Sequence, residues 1–525
     1  MSHKSSRLPI SVWKSPFGGA LRVAAIVSTA AVYGCGEDQT NATAAVPPIA
    51  TTSDVELVAT LPGPTPFVAF MQLRGPDLRN TGALSYQISS RPGSVSRPVN
   101  VVYSMAALKQ RGYAVDGTDS VTVPIIGLYS GFSNHVSLRV DYVDASHQGF
   151  ETEIATAAYV DGIYDQPNIL VARPDTASLG FDFFAMKSRT GSPVIVDTDG
   201  YVRWAGATIA NALSSTFDDA GFFVGDQATP TLRRVELDGS ISEKVLIASS
   251  YIAFHHNIDR GKVGLLVEMD TNTPAGVANV ESVLAEVSTS GVVLREWDFA
   301  AILETYMRAH GDDPSLFVRP GVDWFHMNGA AYDASDDSLV VSSREDFLIK
   351  IDYDTSEIKW IFGDPTKYWY TFPSLRDKAV LLAGGGLYPV GQHAPSITSS
   401  GSLMIFNDGF GSMNQPTGAP AGETRTYSTV SAYDINGTDL VATERWQFDY
   451  DQTIYSRICS SAYEARDQSV LVSYSMASGG AKARLVGLNA AREVVFDLEY
   501  NNTSGIACST SWNAIPIPLD NLIYE

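Results

Sequence analysis

An all-β fold assembled from a repeated strand unit is what this sequence predicts, on three observations. The first is an internal repeat. Ala331-Tyr332-Asp333-Ala334-Ser335-Asp336-Asp337-Ser338-Leu339-Val340-Val341-Ser342 matches Ala462-Tyr463-Glu464-Ala465-Arg466-Asp467-Gln468-Ser469-Val470-Leu471-Val472-Ser473, and a third copy, Ser396 to Phe406, falls between them. The unit is therefore about 65 residues, a period that belongs to propellers and solenoids. The second is a run that ends each unit near an aromatic: Tyr201 to Trp204, Val292 to Trp297, Glu357 to Trp360, Ala442 to Trp446 and Glu493 to Phe496. The third is a histidine delivered at the same slot of three successive units, in Phe254-His255-His256-Asn257, Asp323-Trp324-Phe325-His326-Met327-Asn328 and Gly391-Gln392-His393-Ala394-Pro395.

Each element follows from these. Within a unit, a turn such as Ser335-Asp336-Asp337 joins two apolar runs, which is hairpin chemistry. The aromatic-ended runs alternate as an outer strand with one wet face does. Five such runs, with room for one more unit shared between the two ends, predict a six-bladed β-propeller over residues 161–525. A β-sandwich with coincidental internal similarity is the competing reading. Phe299 to His310 breaks the strand pattern with helical spacing, as an insertion over one mouth of the channel or as a plain surface helix.

Upstream, residues 1–34 carry Lys4, Arg7, Lys14 and Arg22, no acidic residue, and the apolar stretch Val23 to Val32. This is the pattern of a secretory signal, with an apolar core too short to span a bilayer. Val32-Tyr33-Gly34-Cys35 resembles a bacterial lipobox, so a lipid anchor, the one membrane contact expected, would sit on Cys35. Residues 35–52, rich in Thr, Ala and Pro, read as a tether. Residues 53–160 hold β-type runs at Phe67 to Met71, Val99 to Tyr103 and Val136 to Val140, punctuated by Pro and Gly, which predict a small N-terminal β-sandwich domain. His135 and His147 lie there with no catalytic constellation around them.

Composition narrows the function. With 36 basic against 58 acidic residues and a net charge of −22, the chain is a poor electrostatic match for nucleic acid. Setting Cys35 aside, Cys459 and Cys508 are an even number in an exported chain, which predicts a disulfide, with two free thiols as the alternative. The expected location is periplasmic, or the outer membrane as a lipoprotein.

In a propeller, residues at one slot of successive blades face one channel, so His256, His326 and His393 converge. Arg344, after the strand Leu339 to Ser343, joins them; a salt bridge to Glu345 or Asp346 is its alternative role. Three imidazoles could hold zinc or iron with an open position. They could instead join a guanidinium, a planar permanent charge suited to an oxyanion, in binding sulfate or phosphate while one imidazole attacks. The anion reading uses all four residues, whereas the metal reading leaves Arg344 idle and finds no HExxH or His-x-His spacing. There is no Walker loop, no dinucleotide fingerprint and no GxSxG elbow, so no cofactor and no metal are expected.

Asp323-Trp324-Phe325-His326-Met327-Asn328, Ser342-Ser343-Arg344 and Gln392-His393-Ala394-Pro395 resemble the signature segments of the bacterial arylsulfotransferases. Pro66 to Phe70 and Ile126 to Tyr129 resemble that family's N-terminal β-domain. The resemblance implies transfer of a sulfuryl group from an aryl sulfate donor to a phenolic acceptor through a sulfated histidine, without a nucleotide donor. On that resemblance His393 is the nucleophile, His326 and Arg344 contact the sulfuryl group, and His256 is the remaining catalytic histidine, with His255 as its fallback in substrate binding. Asn328 matches the small polar residue two after the DWFH-type histidine. Gly329, where serine is expected, and the order Asn407-Asp408-Gly409 depart from the family pattern beside the site. The resemblance does not itself place the family's disulfide at Cys459 and Cys508, so that bridge rests on the cysteine count, and a homodimer is one expected assembly.

Overall fold

The computed structural model describes residues 54–207, 211–245, 250–273 and 276–525, with backbone alone at 242–245. The predicted leader, tether and Cys35 lie outside the described residues. The chain is nearly all β, with 46% of it in strands against 9% in helix. Among the described residues, no helix is long and apolar enough to cross a membrane.

Six sheets, each with four antiparallel strands, occupy most of the chain. Sheet I joins Phe183–Lys187, Val194–Asp197 and Val202–Ala205 to a strand from near the other end of the chain, Asn513–Ile517. Sheet II is Ser215–Asp218, Gly221–Gly225, Thr231–Glu236 and Ile241–Val245. Sheet III is Tyr251–Arg260, Leu265–Asn272, Ala278–Val287 and Val293–Asp298. Sheet IV is Met327–Asp333, Ser338–Ser343, Leu348–Asp352 and Ile358–Phe362. Sheet V runs from Gln392–Ile397 through Leu403–Asn407 and Thr429–Asn436 to Val441–Phe448, with Leu381–Leu382 added in parallel. Sheet VI runs from Ser461–Glu464 through Val470–Ala477 and Lys482–Leu488 to Val494–Asn501, with Asn168–Val171 on its outer edge.

The repeat maps onto this order. Its three copies are the first hairpins of sheets IV, V and VI, and every aromatic-ended run contributes the fourth strand of its meander. Those aromatics pack between neighbouring sheets. Trp204 in sheet I donates its indole N–H to the Leu237 carbonyl at 2.8 Å, and Trp297 in sheet III donates to the Tyr353 carbonyl at 3.2 Å. A buried indole brings a large apolar face and one donor that must be satisfied, and the turn of the next sheet supplies the acceptor.

The first strands are cross-linked by small polar side chains. Asn328 Nδ2 donates to the Gln392 carbonyl at 2.9 Å, Asp259 Oδ2 accepts the Ala330 amide at 3.0 Å, and Ser461 Oγ accepts the Ala514 amide at 3.1 Å. Buried polar groups are tolerated where each finds a partner, and here the partners lie in the next sheet.

The N-terminal region has two further sheets. Glu56–Pro62, Val68–Arg74 and Ser120–Ile126 form one; Val99–Ser104, Thr81–Ile88, Ser133–Tyr142 and His147–Ala155 form the other. Alternate residues Leu84, Tyr86 and Ile88 point into a shared apolar core. Tyr86 Oη and Tyr103 Oη donate across it to the carbonyls of Ile126 and Pro124, each at 3.1 Å. The final strand, Leu522–Tyr524, returns here, parallel to Val99–Ser104, with Tyr524 stacked on Tyr103 at 4.6 Å. Nothing in the hydrophobic pattern announced that return. His135 pairs with Glu151 and Glu153 on the surface, and His147 is exposed.

The helical insertion is Phe299–Ala309. Asp298 caps it, accepting the Ala300 amide at 2.9 Å, and Phe299, Leu303 and Met307 form one buried stripe at helical spacing. Phe299 stacks on Phe325 at 5.2 Å, directly behind His326. The helix is thus a packing element supporting a histidine segment. Cys459 and Cys508 are disulfide-bonded with Cα atoms 6.6 Å apart, so they are not free thiols.

Candidate active site

The three histidine segments share a local device. Each first strand breaks register at its histidine: between Phe254 and Ile258 in sheet III, Met327 and Ala330 in sheet IV, and His393 and Ser396 in sheet V. A bulge re-aims the side chain beside it. His326 itself has φ 49° and Ala394 has φ 48°, left-handed conformations that non-glycine residues rarely adopt and that concentrate at functional sites. The outcome is convergence: His255, His256, His326, His393 and Arg344 line one cavity of about 460 Å³. The His255 and His256 rings lie 4.7 Å apart, as do those of His256 and His326.

Asn328 does not line this cavity. It is buried, with its amide committed to the Gln392 carbonyl and its Oδ1 without a hydrogen-bond partner among the described residues. Its position braces the strand that carries His393.

His393 Nδ1 lies 2.9 Å from the Gly391 carbonyl oxygen. A carbonyl only accepts, so Nδ1 carries the proton and Nε2 keeps the lone pair. Burial, and then the Arg344 guanidinium, hold the His393 pKa well below the ordinary imidazole value, which keeps the ring neutral. Two glycines make this geometry. Gly391 has φ +59°, and a Cβ there would lie 1.8 Å from Asp408 Oδ1. A Cβ on Gly329 would lie 2.6 Å from Pro395 Cδ, part of a rigid ring one sheet away. The expected serine at 329 has no room, and its absence lets sheet IV approach the His393 segment closely.

Arg344 makes the salt bridges expected as its alternative role and still lines the cavity. Its Nη1 is 3.2 Å from Glu345 Oε1 and its Nη2 is 3.1 Å from Asp408 Oδ2, yet it lines the cavity with Nε unpartnered among the described residues. Its amide donates to the His326 carbonyl at 3.0 Å, which fixes it beside that histidine. Asp408 lies beneath both Arg344 and His393, 3.9 Å from His393 Nδ1; burial pushes its pKa up to about 7 against the pull of Arg344.

Sequence reasoning missed the residue at the centre of the cluster. Glu281 is buried in the third strand of sheet III with φ 51°. Its Oε2 is 3.3 Å from His256 Nδ1 and 3.1 Å from His326 Nδ1, and Oε1 contacts His255 Nε2. Its amide donates to Asp270 Oδ1 at 2.9 Å, and Asp270 also pairs with His255 Nδ1 at 3.0 Å. Burial opposes charge on His326, but Glu281 and then Asp323 outweigh it and raise the pKa. Burial likewise opposes charge on His255, and Asp270 and Glu281 push it up to about 10. His256 goes the other way: burial dominates and lowers it. The only trace of Glu281 in the sequence is an acidic residue within the strand Ala278–Val287, which also contains Glu286.

One cavity therefore holds an imidazole with a lowered pKa and a free nitrogen, a fixed guanidinium, and an imidazole whose pKa neighbouring carboxylates raise. Cation binding is also geometrically open, since His255, His256 and Glu281, and separately Glu281, Asp323 and His326, bring ligand atoms within 4.8 Å of one another.

Comparison with known proteins gives four matches. Residues 141–512, which include every residue of this cavity, match the family model described as Arylsulfotransferase (ASST). Arylsulfate sulfotransferase AssT of Escherichia coli O6:H1 is 25% identical over 369 residues, covering 58% of this chain and 60% of that protein. AssT of Lelliottia amnigena is 24% identical over 370 residues with the same coverage. The chain thus spans about 60% of the length of these curated relatives. A solved structure of unknown function from Bacteroides thetaiotaomicron aligns at 10% identity over 90% of this chain and 94% of that chain, with a TM-score of 0.30, too low to carry an argument.

Proposed function

The chain belongs to the arylsulfotransferase family, and on that premise we propose that it moves a sulfuryl group from an aryl sulfate to a phenol through a sulfated His393, with ping-pong kinetics and no nucleotide donor. The observation that carries the reading is the hydrogen bond from His393 Nδ1 to the Gly391 carbonyl, which leaves Nε2 as the free nucleophile. In the first half-reaction Nε2 attacks sulfur and the S–O bond to the departing phenol breaks. His326, held as imidazolium against Glu281 and Asp323, gives its proton to the departing oxygen. General acids of this kind contribute about 10²–10⁴-fold. Arg344 holds the sulfuryl oxygens and offsets the charge that spreads over them, the positioning and electrostatic logic of phosphoryl transfer. In the second half-reaction an acceptor phenol loses its proton to the now neutral His326 and takes the sulfuryl group, restoring neutral His393. His256, whose ring lies 4.7 Å from that of His326 and 5.5 Å from that of Trp512, would meet the acceptor in this scheme.

The wider reading is a six-bladed β-propeller over residues 161–525, its six sheets as blades and its first strands lining the channel, after a β-sandwich domain over 53–160. Sheet I, made from both ends of the propeller region, is the blade that closes the ring. Export fits the disulfide, which belongs in an oxidising compartment, with lipid attachment at Cys35 as the proposed anchor.

The test is release of phenol from a chromogenic aryl sulfate by wild-type protein and by His393→Ala. Release lost in the variant supports the scheme, and equal release in purified variant sinks it. A second reading, a cation-loaded binding module, draws on the ligand groups around Glu281. Metal copurifying in stoichiometric amount with no sulfuryl transfer would favour it, whereas transfer that persists in chelator would exclude it.

A further inference from the structure

The cavity has an apolar wall as well as a polar floor. Leu213, Cys459 and Trp512 pack together with Ile458 along it, and the Trp512 ring lies 5.5 Å from that of His256. The Trp512 amide donates to the Lys187 carbonyl at 2.7 Å, so the indole is anchored beside the end of the first chain segment of sheet I. Two residues past Lys187 stands Arg189, which lines the same cavity and is exposed at its rim. The short segment around it is built. Ser188 Oγ and Thr190 Oγ1 donate to the Ser509 carbonyl at 2.7 and 3.2 Å, the Thr190 amide donates to Ser188 Oγ at 3.0 Å, and Ser509 follows the disulfide-bonded Cys508.

Among the described residues no carboxylate, hydrogen-bond acceptor or aromatic ring engages the Arg189 guanidinium. That is unexpected in a chain with 58 acidic against 36 basic residues, and it contrasts with Arg344, which two carboxylates hold. A net charge of −22 repels anionic ligands, so one that enters must find a local cation. Arg189 supplies it at the mouth, and its planar fork suits a carboxylate.

We propose that Trp512 and Arg189 form a phenol subsite that selects acceptors carrying an acidic substituent, the class of hydroxybenzoates and hydroxyphenylacetates. The phenol oxygen points inward to His256 and His326, the ring lies along Trp512 and Ile458, and the carboxylate meets Arg189 at the rim. The assignment of which oxygen reacts rests on the sulfotransfer reading above; the binding geometry does not.

The experiment uses the full chain with 4-nitrophenyl sulfate as donor and 4-hydroxybenzoate, phenol and tyramine as acceptors, in wild type, Arg189→Gln and Arg189→Glu. The ratio of kcat/KM for 4-hydroxybenzoate to that for phenol should fall about tenfold in Arg189→Gln, the loss of one charge-assisted contact. In Arg189→Glu the preference should turn toward tyramine. Ratios that do not move in either variant overturn the subsite. Calorimetric titration of 4-hydroxybenzoate into wild type and Arg189→Glu gives an answer that does not need turnover. Tighter binding to wild type supports the subsite even if no phenol accepts a sulfuryl group, an outcome that would defeat the sulfotransfer reading alone. Equal affinity, or no binding to either, overturns it.

Discussion

Glu281 is the main group that raises the His326 pKa against burial, and removing its charge tests that directly. In the proposed scheme His393 must be neutral to attack, and its depressed pKa places the acidic limb of activity below the ordinary imidazole value. His326 must be charged to donate, and its raised pKa places the basic limb above that value. The profile is therefore a broad plateau spanning the ordinary histidine pKa of about 6.5, whose limbs belong to the coupled cluster rather than to single residues. In Glu281→Gln the basic limb should move to lower pH. The loss of rate should also be larger for donors with poor phenol leaving groups than for 4-nitrophenyl sulfate, because only the former depend on the proton. A uniform loss at every pH and for every donor would mean that Glu281 merely holds the fold. The histidines and Arg344 were legible in the sequence because histidine is scarce and recurs at one slot of the repeat. Glu281 and Asp270 were not, because an acid in a strand reads the same whether it faces water or a buried imidazole; Asp408 was marked only through Asn407-Asp408-Gly409, a departure beside the site. Arg344→Ala should weaken the site by roughly 2–5 kcal/mol in transition-state terms, as loss of a buried charged contact does, read as kcat/KM for any aryl sulfate.

Among the elements, the register breaks in the first strands matter most, and they escaped sequence reading because the phase shift a bulge makes falls among small and polar residues, Asn328-Gly329-Ala330 and Ala394-Pro395-Ser396, where little hydrophobic alternation is left to read. The hairpins and aromatic fourth strands were legible, since turn residues and a two-residue period mark them. Gly329 ties the two kinds of element together. A Cβ there meets Pro395 Cδ at 2.6 Å, so Gly329→Ser should push the His393 segment outward and lower kcat about tenfold or more, as small misplacements of reacting groups do. Unchanged kcat would show that the strands part without disturbing His393. The helix Phe299–Ala309 supports the neighbouring segment through Phe325. Asp298→Ala removes its cap and should cost about 1 kcal/mol of stability, measured as a lower denaturant midpoint at unchanged slope.

At the scale of the whole molecule, distant parts of the chain are tied together twice: by the strand Asn513–Ile517 pairing with Phe183–Lys187 in sheet I and by the Cys459–Cys508 bond across 49 residues. The cysteine count foretold the second link, and the first pairs a strand from near the end of the chain with one of its earlier strands, as a repeat unit shared between the two ends would. The return of Leu522–Tyr524 to the N-terminal sheets was invisible, because a three-residue strand carries no periodic signal. In the chain-entropy account a loop of that length makes the disulfide worth about 4 kcal/mol. Cys459→Ser with Cys508→Ser should therefore lower stability by about 2–4 kcal/mol. It should also loosen the wall that carries Trp512, seen as a raised KM for the acceptor with a smaller change in that for the donor. An equal change in both KM values would place the disulfide's effect outside the acceptor wall.

The central claim is that His393 carries the sulfuryl group between donor and acceptor. The most direct measurement is intact-protein and peptide mass during turnover of 4-nitrophenyl sulfate, with and without added phenol and with chelator present. The account predicts release that depends on the acceptor, with one SO3 group on the protein that maps to His393, accumulates without acceptor and disappears when phenol is added. Acceptor-dependent release with no adduct on rapid quench, or an adduct on another residue, would contradict it.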